Sequence, residues 1–162
     1  MTSTTNTQQS ALRLPNGASP FPGVLTAGQP SAAQLSQLAQ SGIKTVIDLR
    51  APEEPRGFDE PATVRAAGLT YRNIPVTSAT LGDREFDEFR ELLRDENARP
   101  MLVHCGSANR VGALLIPYLV LDEKRSRDDV LKIAHDVGLR SNDLTRAALS
   151  YVGEREARHA GR

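Results

Sequence analysis

The sequence predicts an α/β fold, a mainly parallel central sheet flanked by helices on both faces. Short β-branched apolar runs recur along the chain, at "IKTVIDLR" (43–50), "LTYRNIPV" (69–76) and "RPMLVHC" (99–105). Amphipathic segments of helical period alternate with them. The third run passes straight into a glycine-containing loop and a further helix. Strands that alternate with helices are joined by right-handed crossovers, which make neighbouring strands parallel.

Residues 1–20 are rich in Thr, Ser, Gln, Asn and Pro, a composition expected to lack fixed structure. The ordered domain is expected over 21–155, beginning near "FPGVLTAGQPS", with a fraying tail over 156–162. Pro30 and Ser31 read as a helix start with Ser31 as cap, and Gly42 ends that helix. After the first strand comes the loop "APEEPRGF", then a short helix from about Pro61 to Ala67 that stops at Gly68. "REFDEFRELLRDE" places Phe86, Phe89, Leu92 and Leu93 on one side of a helix. A helix is expected from about Asn109, and two more start at Ser126 and Ser141, each with acidic residues in its first turn.

Composition excludes several function classes. Lys+Arg and Asp+Glu both number 20, so net charge is zero and nothing favours nucleic acid or an anionic membrane. One cysteine rules out an internal disulfide and a multi-cysteine metal site. His104, His135 and His159 are far apart and lack metal-ligand spacing. The longest apolar run, Val111 to Leu121, is too short to span a bilayer. A polar start without an apolar core suggests a cytoplasmic protein.

The chemistry concentrates in "VHCGSANRVG". In open α/β sheets the ligand crevice lies beyond the carboxyl ends of the strands, where Cys105 falls. A strand-to-helix loop can aim several main-chain amides at one point, and Gly106, Ser107, Ala108 and Asn109 supply them. Arg110 adds a planar cation that matches oxyanions. That surrounding favours a thiolate, a nucleophile placed beside an anion cradle. The competing reading is an ordinary small core residue at a strand end.

These residues resemble the His-Cys…Arg loop of cysteine-dependent phosphatases. "TAGQPSAAQLSQLAQSGIKTVIDLR", "AAGLTYRNIPV" and "RPMLVHCGSANRVGALL", in that order, resemble the bacterial dual-specificity-like phosphatase domains also found fused to β-lactamase-like hydrolases. The resemblance covers roughly residues 21–140. It implies a phosphatase-like three-layer sandwich, a thiophosphate intermediate on Cys105, and Arg110 holding the phosphoryl oxygens. The substrate so implied is a phosphorylated small molecule or phosphoprotein, and the chemistry requires no cofactor.

The chain departs from that pattern in three places. Four residues separate Cys105 from Arg110 where such loops have five, and four is the spacing of rhodanese-like sulfurtransferases, which take sulfur from a sulfane-sulfur donor. Val111 stands where Ser or Thr is usual. Ala108 replaces a frequent glycine, so a left-handed backbone there carries strain.

A general acid is sought on "TSATLGDREFDEF"; Asp83 is the best candidate, and the alternative is a cap on a helix starting at about Arg84. By the resemblance, Arg50 meets substrate, Asp48 orients loop groups and Gln29 bonds near the pocket. Alternatively, Arg50 pairs with Glu53 or Glu54, and Gln29 is loop packing. His104 should point to the face opposite Cys105 and brace the loop. Three functions remain in competition: phosphatase, sulfurtransferase with a Cys105 persulfide, and a non-catalytic module that binds a phosphorylated ligand.

Overall fold

The computed structural model describes residues 13–160. Its sheet has five strands: β1 (Ala18–Phe21), β2 (Val24–Ala27), β3 (Thr45–Asp48), β4 (Thr70–Asn73) and β5 (Met101–His104). They lie in the order β1-β2-β5-β3-β4. β1 runs antiparallel to β2, while β2, β5, β3 and β4 are parallel to one another. This is the α/β sheet that the alternating pattern predicts.

Six helices cover the sheet: α1 (Ala32–Gln37), α2 (Glu60–Ala66), α3 (Asp83–Arg94), α4 (Asn109–Pro117), α5 (Arg127–Val137) and α6 (Asn142–Ala160). β3 and β5 are buried at every position, because helices pack on both of their faces. Their period-two alternation splits the core. Val46 and Leu102 face α1 and α2 with Leu35, Leu38, Val64 and Leu69. Ile47, Met101 and Val103 face the larger layer with Phe86, Phe89, Leu93, Leu114, Leu115 and Leu119. Among the described residues no helix is long and apolar enough to cross a membrane.

Local signals set the helix ends. Ser31 caps α1 through a full capping box with Gln34. Gly42 closes the following 3₁₀ turn at φ 85°, a conformation that suits glycine. Ser126 accepts from the Asp129 amide and Ser141 from the Leu144 amide. α4 packs so closely on α5 that a Cβ at Gly112 would stand 2.8 Å from both the Ala134 carbonyl oxygen and Leu139 Cβ.

Both expected boundaries move outward. Strand β1 begins at Ala18, inside the segment expected to lack structure, because Ala18 and Phe21 pair with Thr26 and Val24 of β2. Its weak pattern, with Pro20 inside β1 and Pro22 and Gly23 at the turn, hides the hairpin. Residues 1–12 of that segment lie outside the described residues. At the other end α6 continues to Ala160, through the stretch expected to fray.

Phe89 is fully buried between α3 and the sheet. Phe89→Ala should lower unfolding free energy by about 3–5 kcal/mol, through lost burial and an unfilled cavity. Urea denaturation will then give an earlier midpoint with little change in slope.

Candidate active site

The candidate residues gather at the carboxyl ends of the parallel strands. β5 is the middle strand, and its end is fixed from both sides. The Cys105 amide donates to the Ala27 carbonyl at 3.3 Å, and the His104 carbonyl accepts from the Leu49 amide at 2.9 Å. Strand alternation then separates the neighbours. Cys105 enters the large core layer, whereas His104 turns to the other face and meets Glu60 of α2.

Beyond Cys105 the loop turns into α4 through Ala108, the helix N-cap, at φ 68° and ψ 4°. The left-handed backbone expected at this alanine is present, at a cost of about 1–2 kcal/mol for a residue with a Cβ. Surrounding segments hold the loop by its carbonyls. The Gln29 amide donates to the Gly106 carbonyl at 3.1 Å, and Asn16 Nδ2 to that of Ser107 at 3.4 Å. A Cβ at Gly28 would stand 2.8 Å from the Gly106 oxygen, so the "GQPS" glycine is required by the loop's close approach. With the carbonyls engaged, the amides of Gly106, Ser107, Ala108, Asn109 and Arg110 donate to no protein acceptor among the described residues. The Asn109 side chain does not join them. Its Oδ1 accepts from the amides of Arg140 at 2.8 Å and Ser141 at 3.1 Å, tying α4 to the loop before α6.

Arg110 reaches back over the cysteine. Burial opposes its charge, but the Glu54 carboxylate and the neighbouring Cys105 sulfur push its pKa upward. Nη1 donates to Glu54 Oε2 at 2.9 Å and to the Val76 carbonyl at 3.1 Å, and Nη2 donates to Glu54 Oε1 at 3.0 Å. A guanidinium has five N–H donors. These bonds use three and leave Nε–H and one Nη2–H, two parallel donors along one edge. Nη2 lies against the loop, 3.3 Å from where a Gly106 Cβ would be.

Glu54 is itself held from behind. Arg50 Nε donates to its Oε1 at 3.1 Å and the Ala51 amide to its Oε2 at 2.6 Å. The other Arg50 donors reach Gln29 Oε1 at 2.8 Å and the Pro55 carbonyl at 3.3 Å. Arg50 therefore pairs with Glu54, one of the two glutamates the sequence offered as its alternative partner. Gln29 joins Arg50 to Glu60, which its Nε2 reaches at 2.8 Å. Asp48 accepts from the Arg50 amide at 2.9 Å, from Arg56 at 2.7 Å and from Tyr71 at 2.7 Å.

Asp83 opens α3, and its N-cap is Gly82, with no side chain capping the helix. The cap reading for Asp83 is thereby corrected: the helix begins one residue earlier than expected, so Asp83 lies within its first turn. Its half-exposed carboxylate stands 3.9 Å from Arg155 of α6.

Sequence reasoning missed Arg56, Glu60 and Tyr71, and treated Glu54 only as a partner of Arg50. The two glutamates just after a strand end carrying Arg50 were the available signal for Glu54. Glu60 and Tyr71 reach the site only through tertiary packing. Asp48, Glu60 and His104 place one ligand atom each within 4.8 Å of one another, a metal-like spacing. Arg56 already supplies a cation there, 2.7 Å from Asp48 and 3.4 Å from Glu60.

The sheet presents a cysteine, a turn of free amides and an arginine at a helix start within an α/β fold of phosphatase-like architecture. Residues 21–148 match the model of the DSP-PTPase phosphatase family fused to NAD+ kinase, and the chain belongs to that family. It is 31% identical over 124 residues to a beta-lactamase hydrolase-like protein of Xylella fastidiosa strain Temecula1, a match covering 74% of this chain and 28% of that one. The chain thus spans under a third of the length of that curated relative. Among solved structures, a DUF442 phosphatase of Shewanella putrefaciens superposes with TM-score 0.73 at 21% identity, covering 92% of this chain and 97% of that one. The phosphotyrosine complex of TpbA from P. aeruginosa superposes with TM-score 0.66 at 22% identity, covering 88% and 89%.

The Arg110 contact, foremost, holds the Glu54 carboxyl down from 4.5 to about 2. A depressed carboxyl contributes stability that is present above its ordinary value and is lost as pH falls toward its folded value. Between about pH 4.5 and 2, the melting temperature of the wild type should therefore fall faster than that of Glu54→Gln. Parallel pH–Tm curves would remove the pair from the stability account.

Proposed function

We propose that this chain hydrolyses phosphate monoesters, of phosphotyrosine type or small aryl phosphates, through a thiophosphate on Cys105. One observation carries the reading: the Glu54 and Val76 contacts leave Arg110 with a single free edge of two parallel donors beside the cysteine and the undonated amides. That edge matches two oxygens of a phosphoryl group, and the amides match the third. The TpbA–phosphotyrosine complex, in a protein of the same fold, supports the choice of substrate.

The Cys105 thiolate attacks phosphorus, so an S–P bond forms as the ester P–O bond breaks. The departing oxygen takes a proton from Asp83. Water then attacks phosphorus and gives a proton back to Asp83, the S–P bond breaks, inorganic phosphate leaves, and the thiolate is restored. Arg110 and the loop amides bear the charge on the equatorial oxygens throughout. In the described conformation Cys105 exposes no surface, so substrate reaches it when the side chains above it give way. An open groove of about 380 Å³ runs beside the loop, bordered by Asn16, Ser107, Asn109, Asp136 and Arg140. It offers room for the group that carries the phosphate.

A second reading, a sulfurtransferase, rests on the four-residue loop. Intact mass after exposure to a phosphorylated and, separately, a sulfane-sulfur donor discriminates the two. The phosphatase reading requires trapped phosphate, and one added sulfur would replace it.

Cys105→Ser should abolish release of phosphate from an aryl phosphate. If Cys105→Ser retains wild-type turnover, or no aryl phosphate or phosphotyrosine peptide is hydrolysed, the proposal fails. Asp83→Asn should slow esters with poor leaving groups by ~10²–10⁴-fold while sparing activated aryl phosphates, as loss of a proton donor requires. Equal loss on both classes would deny Asp83 that role.

A further inference from the structure

The open groove of about 380 Å³ beside the Cys105 loop is lined by polar groups that the reaction at phosphorus does not use. Asn109, the first residue of α4, is one of them. Its Oδ1 accepts from two main-chain amides, those of Arg140 at 2.8 Å and Ser141 at 3.1 Å. Two N–H donors demand the oxygen on that side, which fixes Nδ2 on the other. The Nδ2 hydrogens meet no acceptor among the described residues.

Arg140 lines the groove and is pinned as well. Its Nη1 donates to the carbonyls of His135 at 2.8 Å and Leu139 at 2.7 Å, at the carboxyl end of α5. Those bonds leave Nε–H and both Nη2 hydrogens without an acceptor among the described residues. Asp136, in the last turn of α5, lines the same groove. Its exposed carboxylate accepts no hydrogen bond and meets no cation among the described residues. Opposite charges four positions apart pair along a helix. These two do not, because α5 ends at Val137 and Gly138 turns the chain at φ 145° between them.

The groove thus presents a fixed guanidinium, a carboxamide beside it and a separate carboxylate. A ligand that satisfies all three brings an oxyanion for Arg140 and Asn109 and a cation for Asp136. An α-amino acid carries both on one carbon. We infer that the groove selects the organic group of the ester by charge and takes phosphate monoesters of free amino acids, O-phosphotyrosine being the aryl case. The carboxylate meets Arg140 and Asn109, and the ammonium meets Asp136. A phosphotyrosine inside a peptide offers neither charge. The inference rests on the reading of this chain as a phosphatase acting through Cys105, and it narrows the substrate of that site.

Four forms of one ester provide the test: O-phosphotyrosine, its N-acetyl derivative, its carboxamide and its N-acetyl carboxamide. The bond broken is the same aryl ester in each, so the ratios of their kcat/KM values report the groove. The assay is run at about pH 6, below the usual α-amino value, so that the free amine is charged. The free amino acid should exceed the doubly blocked form by at least about tenfold. Blocking the carboxylate should cost more than blocking the amine, since it loses two partners and the ammonium one. Arg140→Gln should remove about tenfold of the preference for the carboxylate, and Asp136→Asn roughly threefold of the preference for the ammonium. A merely structural role for Arg140 would lower all four esters alike, and that result overturns the inference. Equal kcat/KM across the four esters in the wild type, or a doubly blocked ester turned over best, overturns it and leaves the hydrolase reading standing. If Arg140→Gln does not fold, the wild-type series and Asp136→Asn decide, and an unchanged ratio in Asp136→Asn overturns it. Release of no phosphate from these four or from phenyl phosphate overturns the hydrolase reading and the inference with it.

Discussion

Arg110 meets Glu54 through both terminal nitrogens, at 2.9 and 3.0 Å, and much of the site's geometry follows from that pair. A lone guanidinium on a first helical turn has several rotamers, each aiming its donors elsewhere. The carboxylate removes that freedom, and the Val76 carbonyl removes what is left on Nη1. Glu54 can do this because Arg50 and the Ala51 amide fix it in turn, and Arg56 donates to the carbonyls of Ala51, Pro52 and Glu54, folding that loop about itself. The free edge of Arg110 is thus set by a chain of charge-assisted bonds that ends in the sheet at Asp48.

The same chain of bonds explains what the sequence could and could not disclose. The parallel sheet, the helix caps and the Cys105 loop were legible because each is a local pattern: β-branched runs, a serine three residues before the amide it caps, a glycine turn between strand and helix. The β1–β2 hairpin was not, since its strands hold four residues each and one contains a proline. At the site, Cys105, Arg110 and the amides could be read from spacing alone. Glu60 could not: it looks like an ordinary acidic residue in a helix's first turn, and only the packing of α2 under β5 brings it to His104, 44 positions away. Gln29, Arg50 and Asp48 were placed near the pocket by likeness to a family, and their bonds make them supports for Glu54, Arg56 and Glu60.

The shortened loop also carries a conformational burden. Four residues must turn the chain from strand to helix while leaving their amides free, and the turn is completed at Ala108 in a left-handed conformation. A glycine there would relax the backbone but would also loosen the unfolded and folded loop alike. The alanine's methyl group is buried against Gly138, whose own Cβ would come within 3.0 Å of it. Packing thus holds the strained turn in place, with Asn109 tied to the Arg140 and Ser141 amides as a second restraint.

Placing the cysteine-bearing strand at the centre of the sheet has one more result. β5 has a parallel neighbour on each side, matched residue for residue from Met101 to His104. Its amides can trade hydrogen for deuterium only when β2 or β3 peels away, an excursion that exposes both core layers at once. The backbone behind the sulfur therefore belongs to the slowest-exchanging part of the molecule.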